Sequence, residues 1–365
     1  MRRSLLTLFM ATMLACTAGT GGTTLAPTPT TPPPPSTAAT VGDTTTVPST
    51  VTETTTSTTQ LATIVPEDLV LESFPVPAGS GPHDVAPALD GGVWYTAQDT
   101  GELGWLDPST GETRHTALGE GSAPHGVIVD AAGTAWVTDG GLNAIVAVDP
   151  VSLEVTVYPL PSDRPDASLN TASFDGDGMV WFTGQNGIYG CVDPDTGEVI
   201  VFDAPQGPGP YGITTTPDGV VFYASLAGSH IARIESDRSA TVIEPPTADQ
   251  GARRVWSDSL GAIWVSEWNA GNLSRYSPET DTWDTWHLPG HSPETYAVFV
   301  DDSDIVWASD FGSNSIVRFD PTTEEFHTYA LPHDPGNVRQ ILGRPGEVWL
   351  PESAADNLIV IRTSA

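Results

Sequence analysis

The sequence predicts an all-β fold, a seven-bladed β-propeller of four-stranded antiparallel blades, and three observations predict it. A bulky aromatic recurs as Trp94, Trp136, Trp181, Phe222, Trp264, Trp307 and Trp349, at steps of 42, 45, 41, 42, 43 and 42 residues. Downstream of each, an alternating apolar stretch ends in a turn residue, at Asp107, Asp149, Asp193, Glu235, Ser277, Asp320 and Arg362; five of these seven precede Pro, which cannot continue a ladder. The second repeat shows four short strands in one unit: His125 to Asp130, Ala135 to Thr138, Ile145 to Val148, and Val155 to Tyr158. Four antiparallel strands in about 42 residues, repeated seven times, describe propeller blades.

Ring closure is also legible. The seventh repeat stops near Arg362, after its third strand. The missing text lies at the other end, where Leu71-Glu-Ser-Phe-Pro-Val-Pro77 matches the fourth-strand run Val155-Thr-Val-Tyr-Pro-Leu-Pro161. The N-terminal strand therefore completes the last blade and leaves no raw sheet edge.

Ahead of the propeller, expected over residues 67–365, stand two other segments. Met1-Arg2-Arg3, the apolar run Leu5 to Leu14 and the small residues up to Ala15-Cys16 read as an export signal, too short to span a bilayer. Met13-Leu14-Ala15-Cys16 resembles a bacterial lipobox, which makes Cys16 the expected lipidation site and this anchor the only expected contact with a membrane. Residues 17–66 are nearly all Thr, Pro, Ser, Ala and Gly, without the apolar side chains that would offset ordering entropy, and read as an extended stalk.

The chain carries 13 basic and 46 acidic residues, none of the basic ones Lys, for a net charge of −33. That charge excludes nucleic acid and anionic membrane as partners. Cys191 is the only other Cys, so no disulfide framework holds the domain, and its core must suffice. A monomer is expected.

Blade geometry tells which residues share a face. The first strand of each blade lines the central channel, and its start lies at the same rim as the end of the second strand. One column, eleven residues before each aromatic and ten in the last repeat, reads His83, His125, Asn170, Tyr211, Arg253, Tyr296 and Arg339. A second, three after each aromatic, reads Ala97, Asp139, Gly184, Ser225, Glu267, Asp310 and Glu352. Polar residues ringing a channel mouth are what a binding site needs. The expectation is a wet mouth that binds a polar small molecule or glycan, with Asn170, Tyr211, Arg253, Glu294, Tyr296 and Arg339 as contacts. Arg253-Arg254 and Arg339 point to an anionic group on that ligand, unless they pair with Glu267 or Glu352.

The text Pro124-His125-Gly126 … Trp136-Val-Thr-Asp139, Pro210-Tyr211-Gly212-Ile213 and Trp264-Val-Ser-Glu-Trp-Asn-Ala-Gly-Asn-Leu-Ser-Arg275 resembles the repeats of the virginiamycin B lyase (streptogramin lyase) family, across roughly residues 69–362. The resemblance implies, for a catalytic member, a carbon–oxygen lyase that opens a cyclic depsipeptide by eliminating its ester with Mg²⁺. Histidine would move the proton and the metal would polarise the ester carbonyl. By chain order the family's two His positions fall on Tyr296 and Arg339, and the Glu before the second falls on Asn337. His83 and His125, on consecutive blades, are the candidate catalytic pair, with Ala123 where their companion Glu would be; Glu294 and Asp310 are the candidate metal ligands. Two other functions remain open: a non-catalytic envelope module presenting one face to a protein or polysaccharide, and a lactone hydrolase. The latter would hold a Ca²⁺ with channel carboxylates and Asn, of which this channel is expected to offer Asn170 and Glu294.

Overall fold

The computed structural model describes residues 69–363. The export signal, Cys16 and all of residues 17–66 lie outside the described residues. Among the described residues there are 28 strands and no helix, arranged as seven four-stranded antiparallel sheets. Blades one to six are consecutive: Pro82–Ala117, Pro124–Pro159, Leu169–Asp203, Pro210–Ile243, Ala252–His287 and Thr295–Ala330. Blade seven contains Leu342–Arg344, Glu347–Glu352 and Asn357–Arg362, with Leu71–Pro75 as its outermost strand. That strand pairs from Leu71↔Ile361 to Pro75↔Asn357, so the predicted closure is observed.

The recurring aromatic has a fixed place. Trp264, Trp307 and Trp349 are among the largest fully buried side chains, the first two on second strands whose burial is unbroken and Trp349 on one buried from Val348 onward. A strand covered on both faces by neighbouring blades reads as continuous apolar text, as Ala135-Trp-Val-Thr-Asp139 does. The indole N–H needs a partner once buried. In four blades an Asp six residues earlier supplies it: Trp136 to Asp130 at 2.9 Å, Trp181 to Asp175 at 2.7 Å, Trp264 to Asp258 at 3.0 Å and Trp307 to Asp301 at 2.8 Å. The other oxygen of Asp130 accepts the N–H groups of Ala132 and Thr134, so one carboxylate fixes both the hairpin turn and the Trp. Blade one has Ala88 at this position, and the Trp94 indole N–H has no partner among the described residues.

A second repeated device joins blades. The first strands of blades one to six each carry a β-bulge near their start, as between Pro82 and Val85 or Ala252 and Val255. In blade one, His83 and Asp84 together face the single residue Thr96. The Thr96 hydroxyl accepts the Asp84 N–H at 2.9 Å and donates to the His125 carbonyl of blade two at 2.8 Å. Thr138 and Ser266 repeat this link, to the carbonyls of Asn170 and Tyr296. In blades one, two, three and five the bulge is thus tied to the channel residue of the next blade. The strands approach so closely there that glycine is required at Gly212, where a Cβ would meet the Arg254 Cα at 2.6 Å.

Candidate functional site

The bulge changes what reaches the channel. Two consecutive residues oppose one partner, so strict alternation fails there and neighbours in sequence both turn inward. Asp84, Thr171, Arg254 and Gln340, each directly after a predicted mouth residue, therefore form a layer beneath the mouth. Asp84 of blade one and Arg254 of blade five, three blades apart around the ring, pair across the channel at 3.1 Å. Both are buried. Arg254 also donates to the Thr171 hydroxyl at 2.6 Å, and Gln340 accepts the Val85 N–H at 3.0 Å.

The mouth itself is less wet than expected. His83, Asn170, Tyr211 and Tyr296 are exposed by only 0–4 %. His125, Arg253 and Arg339 are half-buried and are the column residues that meet solvent. A residue aimed inward on a narrow ring touches its counterparts rather than water. His83 lies against His125 with ring centroids 3.8 Å apart. The Tyr211 and Tyr296 hydroxyls are 2.5 Å apart. The Arg253 guanidinium lies 3.5 Å from the Tyr296 ring centre and 4.5 Å from Trp268, and donates to the Tyr211 hydroxyl at 3.2 Å. Phe311 stacks on Tyr296 at 4.8 Å and extends this aromatic wall. Arg339 donates to the Ser353 hydroxyl at 3.2 Å.

Arginine can only donate, and this orients a chain of bonds. Arg254 donates to Thr171, Thr171 to the Asn170 carbonyl oxygen, and the Asn170 amide then donates to His125 Nε2 at 3.3 Å. The proton of neutral His125 consequently sits on Nδ1, which is buried and has no hydrogen-bond partner among the described residues. His83 directs Nδ1–H at Asp84, 2.7 Å away, and keeps Nε2 as its free lone pair. Burial holds both imidazoles well below their ordinary pKa. Arg254, Arg339 and Arg253 add to the effect at His83, and His83 adds to it at His125. Burial pushes the Asp84 carboxyl up, against the pull of Arg254. Burial also opposes the Arg254 charge, yet Asp84 holds that guanidinium above its ordinary value. We place the proton on Arg254, because two of its nitrogens face the carboxylate. Tyr296 is pushed up to about 12, by burial first and then by Tyr211. At Tyr211 burial works the same way, but Arg253 and Arg254 outweigh it and the phenol lies below its ordinary value.

Several expectations need correction. The carboxylates of the second column are engaged by neighbouring loops and strands rather than aimed into the channel. Asp139 accepts Ser122 Oγ, Ala123 N and Leu142 N; Asp310 accepts Glu294 N, Gly312 N and Ser313 Oγ. Glu352 accepts His333 and Asn357, and Glu267 accepts Asn272 and Ser274. Arg253, Arg254 and Arg339 pair with neither Glu267 nor Glu352. Glu294 is exposed in a loop, so the channel carboxylate is Asp84 and not Glu294. Of the remaining histidines, His115, His287 and His327 lie on outer strands, and His291 and His333 in loops.

A bound cation fits poorly. Asp310 contributes its carboxylate to three loop donors rather than to an ion. Among the described residues, the cluster with metal-ligand spacing is His83, Asp84 and His125, with ligand atoms within 4.8 Å of one another. Mg²⁺ and Ca²⁺ seek oxygen donors, whereas this set offers two nitrogens and a carboxylate already held by a guanidinium.

Fold and channel together define a closed seven-bladed propeller with an Arg- and His-lined mouth. The comparison with known proteins then gives the particular family. Residues 34–318 match the model of the virginiamycin B lyase family, and the chain belongs to that family. A virginiamycin B lyase from Nocardia farcinica is 28% identical over 214 residues, covering 49% of this chain and 74% of that protein. The crystal structure of virginiamycin B lyase from Staphylococcus aureus superposes with a TM-score of 0.76 at 18% identity, covering 81% of this chain and all (100%) of that one. The extracellular domain of a hybrid two-component system from B. thetaiotaomicron shares the fold at a TM-score of 0.65 and 15% identity, over 81% of this chain and 43% of that one.

Proposed function

We propose that this propeller binds a small molecule bearing a carboxylate, at the mouth of its central channel. The observation that carries this reading is a set of unspent donors. Arg253 Nε and His125 Nδ1 are buried there without a partner, and neither Arg253 nor Arg339 is ion-paired among the described residues. A buried donor left unmade costs about 1–3 kcal/mol, which an acceptor on a ligand would recover. Two free guanidinium groups make a locally positive mouth in a strongly acidic protein, and such a mouth focuses anions. The half-buried Trp268 and Phe311 beside Arg253 favour an aromatic or cyclic body on that ligand.

Phenylacetate, titrated by calorimetry, tests the reading. It should bind saturably, and Arg253→Gln or Arg339→Ala should each weaken it by ~1.5–3 kcal/mol, the value of a charge-assisted hydrogen bond. Failure to bind, or affinity indifferent to both changes, rejects the reading. A second reading, a carbon–oxygen lyase, has one observation in its favour: Asp84 orients His83 so that Nε2 is free to take a proton. Incubation of the same protein with a streptogramin B decides between binder and catalyst. Ring opening that His83→Gln abolishes would establish the lyase.

A further inference from the structure

We propose that the half of the channel beyond the Asp84–Arg254 layer is a second ligand site, for a compact and mainly apolar molecule with one hydrogen-bond acceptor, such as a ketone carbonyl. The first strands run from the mouth to the opposite face, and beyond the bulge their inward residues are apolar. They enclose a chamber of about 270 Å³. Its walls include Val127, Ile213 and Val298, all buried, and its far rim includes Val129, Phe174 and Trp256, all half-buried. The chamber therefore opens away from the mouth. Its volume lies just below the range of ~300–1,000 Å³ usual for small-molecule sites, which sets the ligand's size at the small end.

The floor supplies the specificity. Arg254, 4% exposed, lines the chamber, and its Nε–H has no partner among the described residues. Gln340 lines it too; its carbonyl oxygen is spent on the Val85 N–H, which leaves the amide N–H₂ as a second donor. Two donors at the end of an apolar chamber call for an acceptor. Asp84 already balances the Arg254 charge, so the acceptor need not be anionic, and a cationic head would meet a guanidinium. The Asp84–Arg254 pair and Gln340 stand between this chamber and the mouth, so the two sites are chemically distinct and fail or succeed separately.

Hexan-2-one is the probe, with hexan-1-amine as its cationic counterpart, in ligand-observed and intermolecular-NOE experiments on the folded protein. Saturable binding of the ketone is expected, with NOEs from its alkyl protons to Trp256 and Phe174, and with the amine at least tenfold weaker. Val129→Trp narrows the half-buried rim, where Val129 also packs against the core between blades, and should weaken the ketone at least tenfold in protein that still folds. No saturation up to the ketone's solubility, NOEs to mouth residues instead, equal affinity for the amine, or unchanged affinity in folded Val129→Trp would each overturn the proposal. If Val129→Trp does not fold, the wild-type NOEs and the ketone-to-amine ratio still decide it.

Discussion

The column near the start of each first strand and the column that ends each second strand sit at the same rim and are both largely polar, yet the first is basic and aromatic, the second acidic and small, and their bonding capacity goes to different places. Asp139, Asp310, Glu267 and Glu352 are almost fully buried and accept two or three hydrogen bonds apiece from neighbouring loops or strands, although both bonds of Glu352 fall on Oε2 and its Oε1 has no partner among the described residues. His125, Arg253 and Arg339 reach solvent and hold donors with nothing to donate to, or with one weak partner. Polarity at a channel rim is therefore no sign of a site by itself. Unspent capacity is, since a buried acceptor already satisfied has nothing left to offer a ligand.

The largest effect should come from breaking the satisfied column. Asp139→Ala would orphan the Ser122 hydroxyl and the N–H groups of Ala123 and Leu142 in one step. At about 1–3 kcal/mol per unsatisfied group, partly recovered by water entering the loop, the cost should be at least ~3 kcal/mol. Urea unfolding measures it. A loss below ~1 kcal/mol would mean that this carboxylate is not the loop anchor, and the contrast between columns would collapse.

The repeat was legible in the sequence because seven similar packing problems demand similar answers: an aromatic between blades in all seven, an Asp for its indole in four, and a Gly or Pro at most turns. The closing strand was legible for the same reason, since Leu71–Pro77 copies Val155–Pro161. The first column was placed in the channel correctly, even in blade seven, where Val338↔Glu352 restores the register that Thr295↔Asp310 sets in blade six. The layer beneath it was not legible. Asp84 and Arg254 stand beside His83 and Arg253, and period-two alternation sends such neighbours to opposite sides. Only the bulge brings both inward, and a bulge leaves little trace in sequence. Its one signal was glycine at Gly126 and Gly212, where the next blade comes too close for a Cβ.

An intermediate effect is expected from pH. Because both imidazoles titrate well below their unfolded value of about 6.5, the unfolded chain binds more protons in that interval. Stability is then fully present above pH ~6.5 and falls as pH drops toward the folded pKa, by up to ~1.4 kcal/mol per unit for each His. The slope should be shallower for His125, whose edge meets solvent. Asp84, with its carboxyl pushed up by burial, works in the opposite sense at lower pH, so the informative quantity is a difference. Between pH 7 and pH 5 the wild type should lose more stability than His125→Gln, by up to ~1 kcal/mol. Parallel profiles for the two proteins would show that this ring is not a buried neutral imidazole.

The smallest effect sharpens the comparison most. Arg339→Ala at pH 7 should change stability by no more than ~0.5 kcal/mol, because the side chain is half-buried and makes one long bond to Ser353. Its charge nevertheless helps to depress the His83 pKa, after burial and Arg254. Removing that charge lets the folded-state pKa of His83 rise part of the way toward its unfolded value, so fewer extra protons distinguish the unfolded chain. The variant should therefore lose less stability than the wild type as pH falls below ~6.5, by a few tenths of a kcal/mol per unit. Unfolding curves at pH 7 and pH 5 give both numbers from one pair of proteins. A large loss at pH 7 would place Arg339 with the loop-holding residues of the second column and remove it from the site. A near-neutral change there, with the acid limb shifted as described, is the behaviour of a charge held ready for a ligand.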